Sequence, residues 1–323
     1  VVALAAELPR AAALCHEAAG IVATLFAAAR RGAPLDIATL LPLVDAITAS
    51  VARHPLALAS LARVKNRADY DSRHAVAVSA WMSALAAALD APAATIREVA
   101  FAGLVHDIGK ACLPHAVLEK AGKLTAAEFA LVRTHPQAGH ALLEQADGIG
   151  ATALDVCLHH HEKMDGSGYP HGLGADALTR AARMGAICDV YDAVTSERVY
   201  KPGWDPATAL RRMADWAEGH FDPALFAAFV ALVGLYPPGA LVRLESGLLA
   251  VVCDSAADDA ARPPVRAFYC TRRDVTVTPR LIDLAASDSE RIVAREDPGS
   301  WNLAMLDALW AGEDVLARLR AGA

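Results

Sequence analysis

Apolar positions run through the first two-thirds of the chain in stretches too long for strands, separated by short polar or proline-glycine joints. Residues 1–66 read as several alanine-rich helices, broken at Gly32-Ala33-Pro34 and around His54-Pro55. From about 67 to 236 the helical pattern continues, punctuated at Ala91-Pro92, Gly109, Leu113-Pro114 and His135-Pro136. Thr125 followed by Glu128 forms a capping box and predicts a helix over 126–134. Pro136 belongs to the first turn of the next helix. Asp165 to Gly174 is a glycine-rich loop, after which helix returns over 179–196. Beyond Tyr236-Pro237-Pro238-Gly239 the periodicity changes. Leu241 to Leu244, a Ser246-Gly247 turn and Leu248 to Cys253 predict a β-hairpin. Val265–Cys270 and Thr276–Thr278 are further strand candidates, and a short amphipathic helix is expected over 301–320. No internal repeat or heptad run stands out. The pattern predicts a mainly α fold with a small β-containing C-terminal extension, divided as 1–66, 67–236 and 237–323.

Composition sharpens this picture. The 323 residues are 55% hydrophobic but only 6% aromatic and 21% charged, and alanine, a strong helix former, supplies much of the excess. Disordered, collagen-like and disulfide-scaffold chains are excluded. The apolar run Ala18–Ala29 is about a dozen residues between His16-Glu17 and Arg30-Arg31, where a bilayer span needs about 20. The stretch Ile37–Ala52 carries Pro42 and Asp45. No membrane span is expected, and no basic segment precedes a cleavable apolar core. Six cysteines are scattered without a CxxC pair, which favours reduced thiols and a cytoplasmic setting. A net charge of −7 argues against a nucleic-acid polymer as partner, so an anionic ligand would need a local cluster of positive charge or metal.

Histidine carries the first chemical signal. Nine of the twelve lie between His74 and His171. The pair His106-Asp107 is preceded by His74, 32 residues upstream, and followed by His135, 29 downstream. His160-His161 come 25 residues later, and Asp189 follows His160 by 29. Such gaps suit successive antiparallel helices, each delivering one or two ligands into a bundle core. Imidazole and carboxylate without thiolate favour iron, manganese or a similar divalent ion. Six or seven ligands suffice for two metals, and two ions about 3.5–4 Å apart activate a bridging hydroxide and clamp an in-line phosphoryl displacement.

Five strings carry a resemblance to a known family. His106-Asp107-Ile108-Gly109-Lys110, His160-His161-Glu162 and Asp165-Gly166-Ser167-Gly168-Tyr169-Pro170 come first, followed by Asp189-Val190-Tyr191-Asp192-Ala193 and Arg198-Val199-Tyr200-Lys201. Over about 67–236 the chain resembles the HD-GYP subgroup of the HD phosphohydrolase superfamily. The resemblance implies an HD-type helical bundle that hydrolyses the bacterial second messenger cyclic di-GMP to linear pGpG or on to GMP. It also implies signalling partners or a homodimer. The β segment looks like an extension present in some members, and residues 1–66 are unassigned. By position, the resemblance makes His74, His106, Asp107, His135, His160, His161 and Asp189 metal ligands, with Asp107 bridging two ions, iron or manganese. Lys110 protonates the leaving 3′ oxygen or steadies the phosphate.

The remaining positions are read beside that pattern. Gly166 and Gly168 permit φ > 0 and a close backbone approach to a ligand. Tyr169 offers a flat face to a guanine. Asp192 shares a helix face with Asp189 at i, i+3, so both can face the site, and it is counted with Gly168, Tyr169, Arg198 and Lys201 as substrate-binding or as support behind the ligands. Arg198 and Lys201 supply positive charge for a dianionic dinucleotide. His159 is expected on a helix surface, because His160 and His161 are the pair abutting Glu162. Tyr70 stands where some members place a third-metal glutamate, and Asp69 and Asp71 are expected to point elsewhere, so two metals are predicted. Two alternatives are a non-catalytic binding or interaction module and another HD-type nucleotide phosphohydrolase. The intact ligand positions count against the first and the GYP loop against the second.

Overall fold

The alanine-rich first fifth of the chain coils into α1 (Leu4–Arg30), α2 (Leu40–Arg53) and the short α3 (Ala57–Ala62). The computed structural model describes residues 1–64, 69–120, 122–196, 203–255, 259, 261–301 and 306–320. The predicted break at Gly32 is real, and Gly32 adopts φ +67° there. Within α1, however, a stripe emerges that the sequence reading did not find. Leu4, Leu8, Ala11, Cys15, Ala18, Val22, Leu25 and Ala29 are buried at alternating spacings of four and three. Alanine on every side of the helix hides that periodicity, because a small apolar residue is equally at home buried or exposed. The helix is also longer than the expected dozen-residue run. By length and composition it could cross a membrane, with a mean hydropathy of 1.6 over its most apolar window. In the fold its buried stripe packs on α3, on α4 (Tyr70–Ala88) and on a C-terminal helix.

The central helices are α5 (Ala93–Val105), α6 (His115–Leu118), α7 (Ala126–Val132), α8 (His135–Glu144), α9 (Ala151–His159) and α10 (Arg180–Thr195). They are followed by α11 (Pro206–Trp216) and α12 (Pro223–Val233). Their starts follow local chemistry. The Thr125–Glu128 capping box closes at α7, and Thr179 caps α10. Asp205 and Asp222 cap α11 and α12, each ahead of a proline in the first turn. Helices α4 and α5 cross with their backbones in contact, since a Cβ on Gly103 would lie 2.6 Å from Ser79 Cα. The Ser79 hydroxyl donates to the Ala100 carbonyl across the same crossing. One apolar core runs from Leu4 in α1 to Leu319 near the C-terminus, so the N-terminal helices share the interior of the helices that follow.

The C-terminal part is a five-stranded antiparallel sheet in the order β4-β3-β2-β1-β5. Its strands are β1 (Leu241–Leu244), β2 (Leu248–Val252), β3 (Pro264–Cys270), β4 (Val275–Asp283) and β5 (Ile292–Arg295). The predicted hairpin is β1–β2, turning at Gly247 with φ +85°. Strand β2 alternates faces: Leu249 and Val251 join the helical core, while Leu248, Ala250 and Val252 belong to a second cluster with Val265, Ala267 and Leu284. The expected three-residue strand at 276–278 is nine residues long, and β5 was not anticipated. Both lie at sheet edges, where no fully buried face enforces a run of apolar residues. The expected helix over 301–320 is instead two, α13 (Leu306–Ala311) and α14 (Glu313–Arg320), separated by Gly312 at φ +91°.

Candidate metal centre

Seven side chains from five parts of the chain converge at one end of the bundle. His74 comes from the first turns of α4, and His106 and Asp107 from the end of α5 and the 3-10 turn Ile108–Cys112 that follows. His135 opens α8, His160 and His161 follow α9, and Asp189 lies on α10. Their donor atoms form two groups, one of His74, His106, Asp107 and Asp189, the other of Asp107, His135, His160 and His161. Asp107 belongs to both. Its Oδ2 lies 3.4 Å from His74 Nε2 and 3.3 Å from His106 Nε2, whereas Oδ1 lies 3.2 Å from His135 Nε2 and 3.7 Å from His160 Nε2. One carboxylate thus offers a different oxygen to each group.

The imidazoles are oriented from behind. His106 Nδ1 donates to the Gly103 carbonyl at 2.8 Å, His135 Nδ1 to Val132 at 2.7 Å, and His160 Nδ1 to Val156 at 2.9 Å. A proton held on Nδ1 leaves the Nε2 lone pair facing the carboxylates. Lone pair against carboxylate oxygen at these separations is repulsive unless a cation sits among them. Consistent with that, His106 Nε2 and Asp107 Oδ1 are buried and make no hydrogen bond. A divalent cation in each group would satisfy both atoms, so the donor set fits two metals. His161 is the most open of the seven, with a quarter of its side chain exposed.

The charges are strongly coupled. Burial by itself would raise the Asp107 carboxyl, but the Lys110 ammonium holds it well below the usual carboxylate range. Asp189 is likewise pulled down against its burial, by His74 and His161. His74 is pushed up in spite of its burial by Asp107, Asp189 and Asp192, while burial pushes His161 down. Lys110 reaches Asp107 Oδ2 directly. Burial opposes its charge, yet Asp107, Asp71 and Asp189 raise it above an ordinary lysine. Tyr70 stacks parallel to His74, with ring centroids 6.0 Å apart, and Asp69 pairs with Arg73.

The glycine-rich loop is built differently from its sequence reading. Gly166 does take φ +77°, but Gly168 is not in the left-handed region. A Cβ on Gly168 would lie 2.4 Å from Glu162 Cα, so the close approach is to the protein's own backbone. The buried Glu162 carboxylate accepts the backbone N–H groups of His171, Gly172 and Leu173 at 2.6–3.0 Å and anchors the far side of the loop. In the sequence alone Glu162 marks only the register of His160 and His161; its anchoring of the loop depends on the fold. Tyr169, whose peptide bond to Pro170 is cis, stacks on His161 at 4.7 Å. Arg133, which no motif marked, places its guanidinium carbon 4.6 Å from the Tyr169 ring centre.

Other positions need correction or relocation. Asp192 has no exposed surface, and its Oδ2 accepts a hydrogen bond from His74 Nδ1 at 2.6 Å, so it orients a histidine. Asp192→Asn should weaken metal binding about 10–100-fold while far-ultraviolet circular dichroism stays unchanged. Equilibrium dialysis against manganese measures this, and an unaltered affinity would remove Asp192 from the site's support. His159 lies outside both groups and pairs with Asp155 at 2.8 Å, partly buried against His171. Arg198 and Lys201 fall outside the described residues.

Comparison with known proteins bears on this geometry. The HD domain family matches residues 49–225. The chain is 50% identical over 312 residues to the cyclic di-GMP phosphodiesterase PA4108 of Pseudomonas aeruginosa, a match covering 96% of this chain and 75% of that protein. It is 41% identical over 134 residues to a cyclic di-GMP phosphodiesterase of Vibrio cholerae, covering 40% of this chain but 27% of the relative. Among solved structures, Bd1817, an HDG"Y"P protein from Bdellovibrio bacteriovorus, shares the fold at a TM-score of 0.56 and 17% identity. That match spans 68% of this chain and 70% of the other.

Proposed function

The chain belongs to the HD domain family, in its HD-GYP branch, and from that premise we propose that it is a metal-dependent phosphodiesterase that hydrolyses cyclic di-GMP. The observation that carries the reading is the pair of buried donor groups sharing Asp107. Bound there, two divalent ions, iron or manganese, supply a nucleophile from water at neutral pH and neutralise the phosphate oxygens. The chain's own residues do the rest. His74, His106 and Asp189 hold one position and His135, His160 and His161 the other, with Asp107 spanning both. Lys110, held against Asp107, protonates the leaving 3′ oxygen or steadies the phosphate. Gly168 and Tyr169 of the GYP loop line the approach to His161, and Arg198 and Lys201 add the positive charge that a dianionic ligand requires. The product is linear pGpG or, after a second cleavage, GMP.

In this reading residues 67–236 are the catalytic domain, 1–66 its helical buttress through the shared core, and 237–323 the extension. The enzyme works in the bacterial cytoplasm without spanning a membrane, alone, as a homodimer or with signalling proteins. The test is anaerobic incubation of iron- or manganese-loaded protein with cyclic di-GMP, followed by chromatography of the products. Appearance of pGpG supports the reading. Intact substrate with both metals demonstrably bound would favour a non-catalytic binding module.

A further inference from the structure

Arg133 is the one exposed cation recorded in contact with the ring of the GYP tyrosine, among the described residues. Its guanidinium carbon lies 4.6 Å from the Tyr169 ring centre, and Tyr169 in turn stacks on His161 of the second donor group. The cation therefore stands at the lip of the centre, two residues ahead of His135. It forms no ion pair with a carboxylate among the described residues, so its donors are not committed to a neighbour. Lys110, the cation nearest the donor atoms, is by contrast engaged by Asp107.

Resting on the function proposed above, we infer that Arg133 anchors the phosphodiester of the cyclic dinucleotide that is not being cut. A ligand with two phosphates seats one at the metal positions, and in a chain of net charge −7 the other draws on the few cations assigned to the site, among which Arg133 adds to Arg198 and Lys201. A guanidinium resting on an aromatic ring turns its N–H edge outward, in the fork that matches two phosphate oxygens. The segment bearing it lies at the surface: from Pro114 to Thr134 no described residue is buried, and neither α6 nor α7 contributes a buried side chain. Its inner end is fixed, because the Val132 carbonyl accepts from His135 Nδ1, so Arg133 is held at a set distance from the donor groups.

The test compares Arg133→Ala and Arg133→Lys with the parent, metal-loaded, on cyclic di-GMP and on bis(4-nitrophenyl) phosphate, which has a single phosphodiester. Arg133→Ala should raise the KM for cyclic di-GMP about tenfold, the factor expected of one lost charge-assisted hydrogen bond. The drop in kcat should be far smaller, Arg133→Lys should recover part of the loss, and the single diester should be affected much less. Inhibition by cyclic di-AMP, which keeps both phosphates and lacks guanine, should weaken by the same factor. An unchanged KM, or an equal loss on both substrates, overturns the anchoring role. Loss with cyclic di-GMP while cyclic di-AMP inhibits as before would assign Arg133 to the base instead. A parent that cleaves the single diester and leaves cyclic di-GMP intact overturns the underlying function, an outcome visible before any variant is made.

Discussion

Asp107→Asn should take the metal content of the purified protein toward zero and cut hydrolysis of cyclic di-GMP by roughly a thousandfold or more, the factor that several kcal/mol of transition-state stabilisation represents. The carboxylate is the one group common to both donor sets, with Oδ2 facing His74 and His106 and Oδ1 facing His135 and His160. The amide keeps the shape and one acceptor oxygen. It loses the negative charge, and its NH2 turns a donor toward imidazoles that need a cation. It also leaves Lys110 without its partner, so some loss of thermal stability accompanies the change. Helix content should survive, because the apolar core that holds the helices runs from Leu4 to Leu319 without Asp107. Elemental analysis of the dialysed protein, activity and circular dichroism together separate these effects. Full activity with two ions still bound would show that the two donor groups do not act through Asp107.

Gly109→Ala should destabilise the fold by about 3 kcal/mol or more, the upper end of overpacking costs. A Cβ there would sit 1.9 Å from the His135 carbonyl oxygen and 2.4 Å from Gly139 N, both backbone atoms of α8. No rotamer change relieves such a clash, so α8 must move away from the 3-10 turn and carry His135 with it. Because His135 belongs to only one donor group, metal content should fall toward one ion per chain while the other position persists. Gly20→Ala is the control. Gly20 lies inside α1 with open space around its would-be Cβ, and alanine there should stabilise by up to about 1 kcal/mol. If Gly109→Ala melted like the parent and kept both ions, α8 would not be held by that contact.

Much of this was readable from residues alone, for identifiable reasons. The capping box at Thr125 and Glu128 acts over three residues, so it is legible wherever it occurs. The β1–β2 hairpin is equally local. The stripe of α1 was not legible, since alanine surrounds it and only contact with α3 and α4 distinguishes one face from another. The length of β4 escaped because a sheet edge imposes no apolar alternation. Gly168 read as a flexible position and turned out to be a steric one, a distinction that depends on Glu162 lying beneath it. Arg133 belongs to no motif, and its importance arises from being folded over a tyrosine 36 residues away.

What the sequence by itself determined was the inventory: seven imidazoles and carboxylates in order, spaced for successive helices, with a glycine-rich loop and no thiolate among them. Ligand chemistry is a property of residue types, and helix-length spacing is a property of the chain. The tertiary structure decided how the seven divide into two groups, which oxygen of Asp107 serves each, and that Asp192 stands behind His74. Those outcomes depend on which helix backbones approach one another, at Gly103 against Ser79 and Gly109 against His135, and on carbonyls that orient each imidazole from behind. Contacts of that kind join residues distant along the chain, and only the packed molecule brings them together.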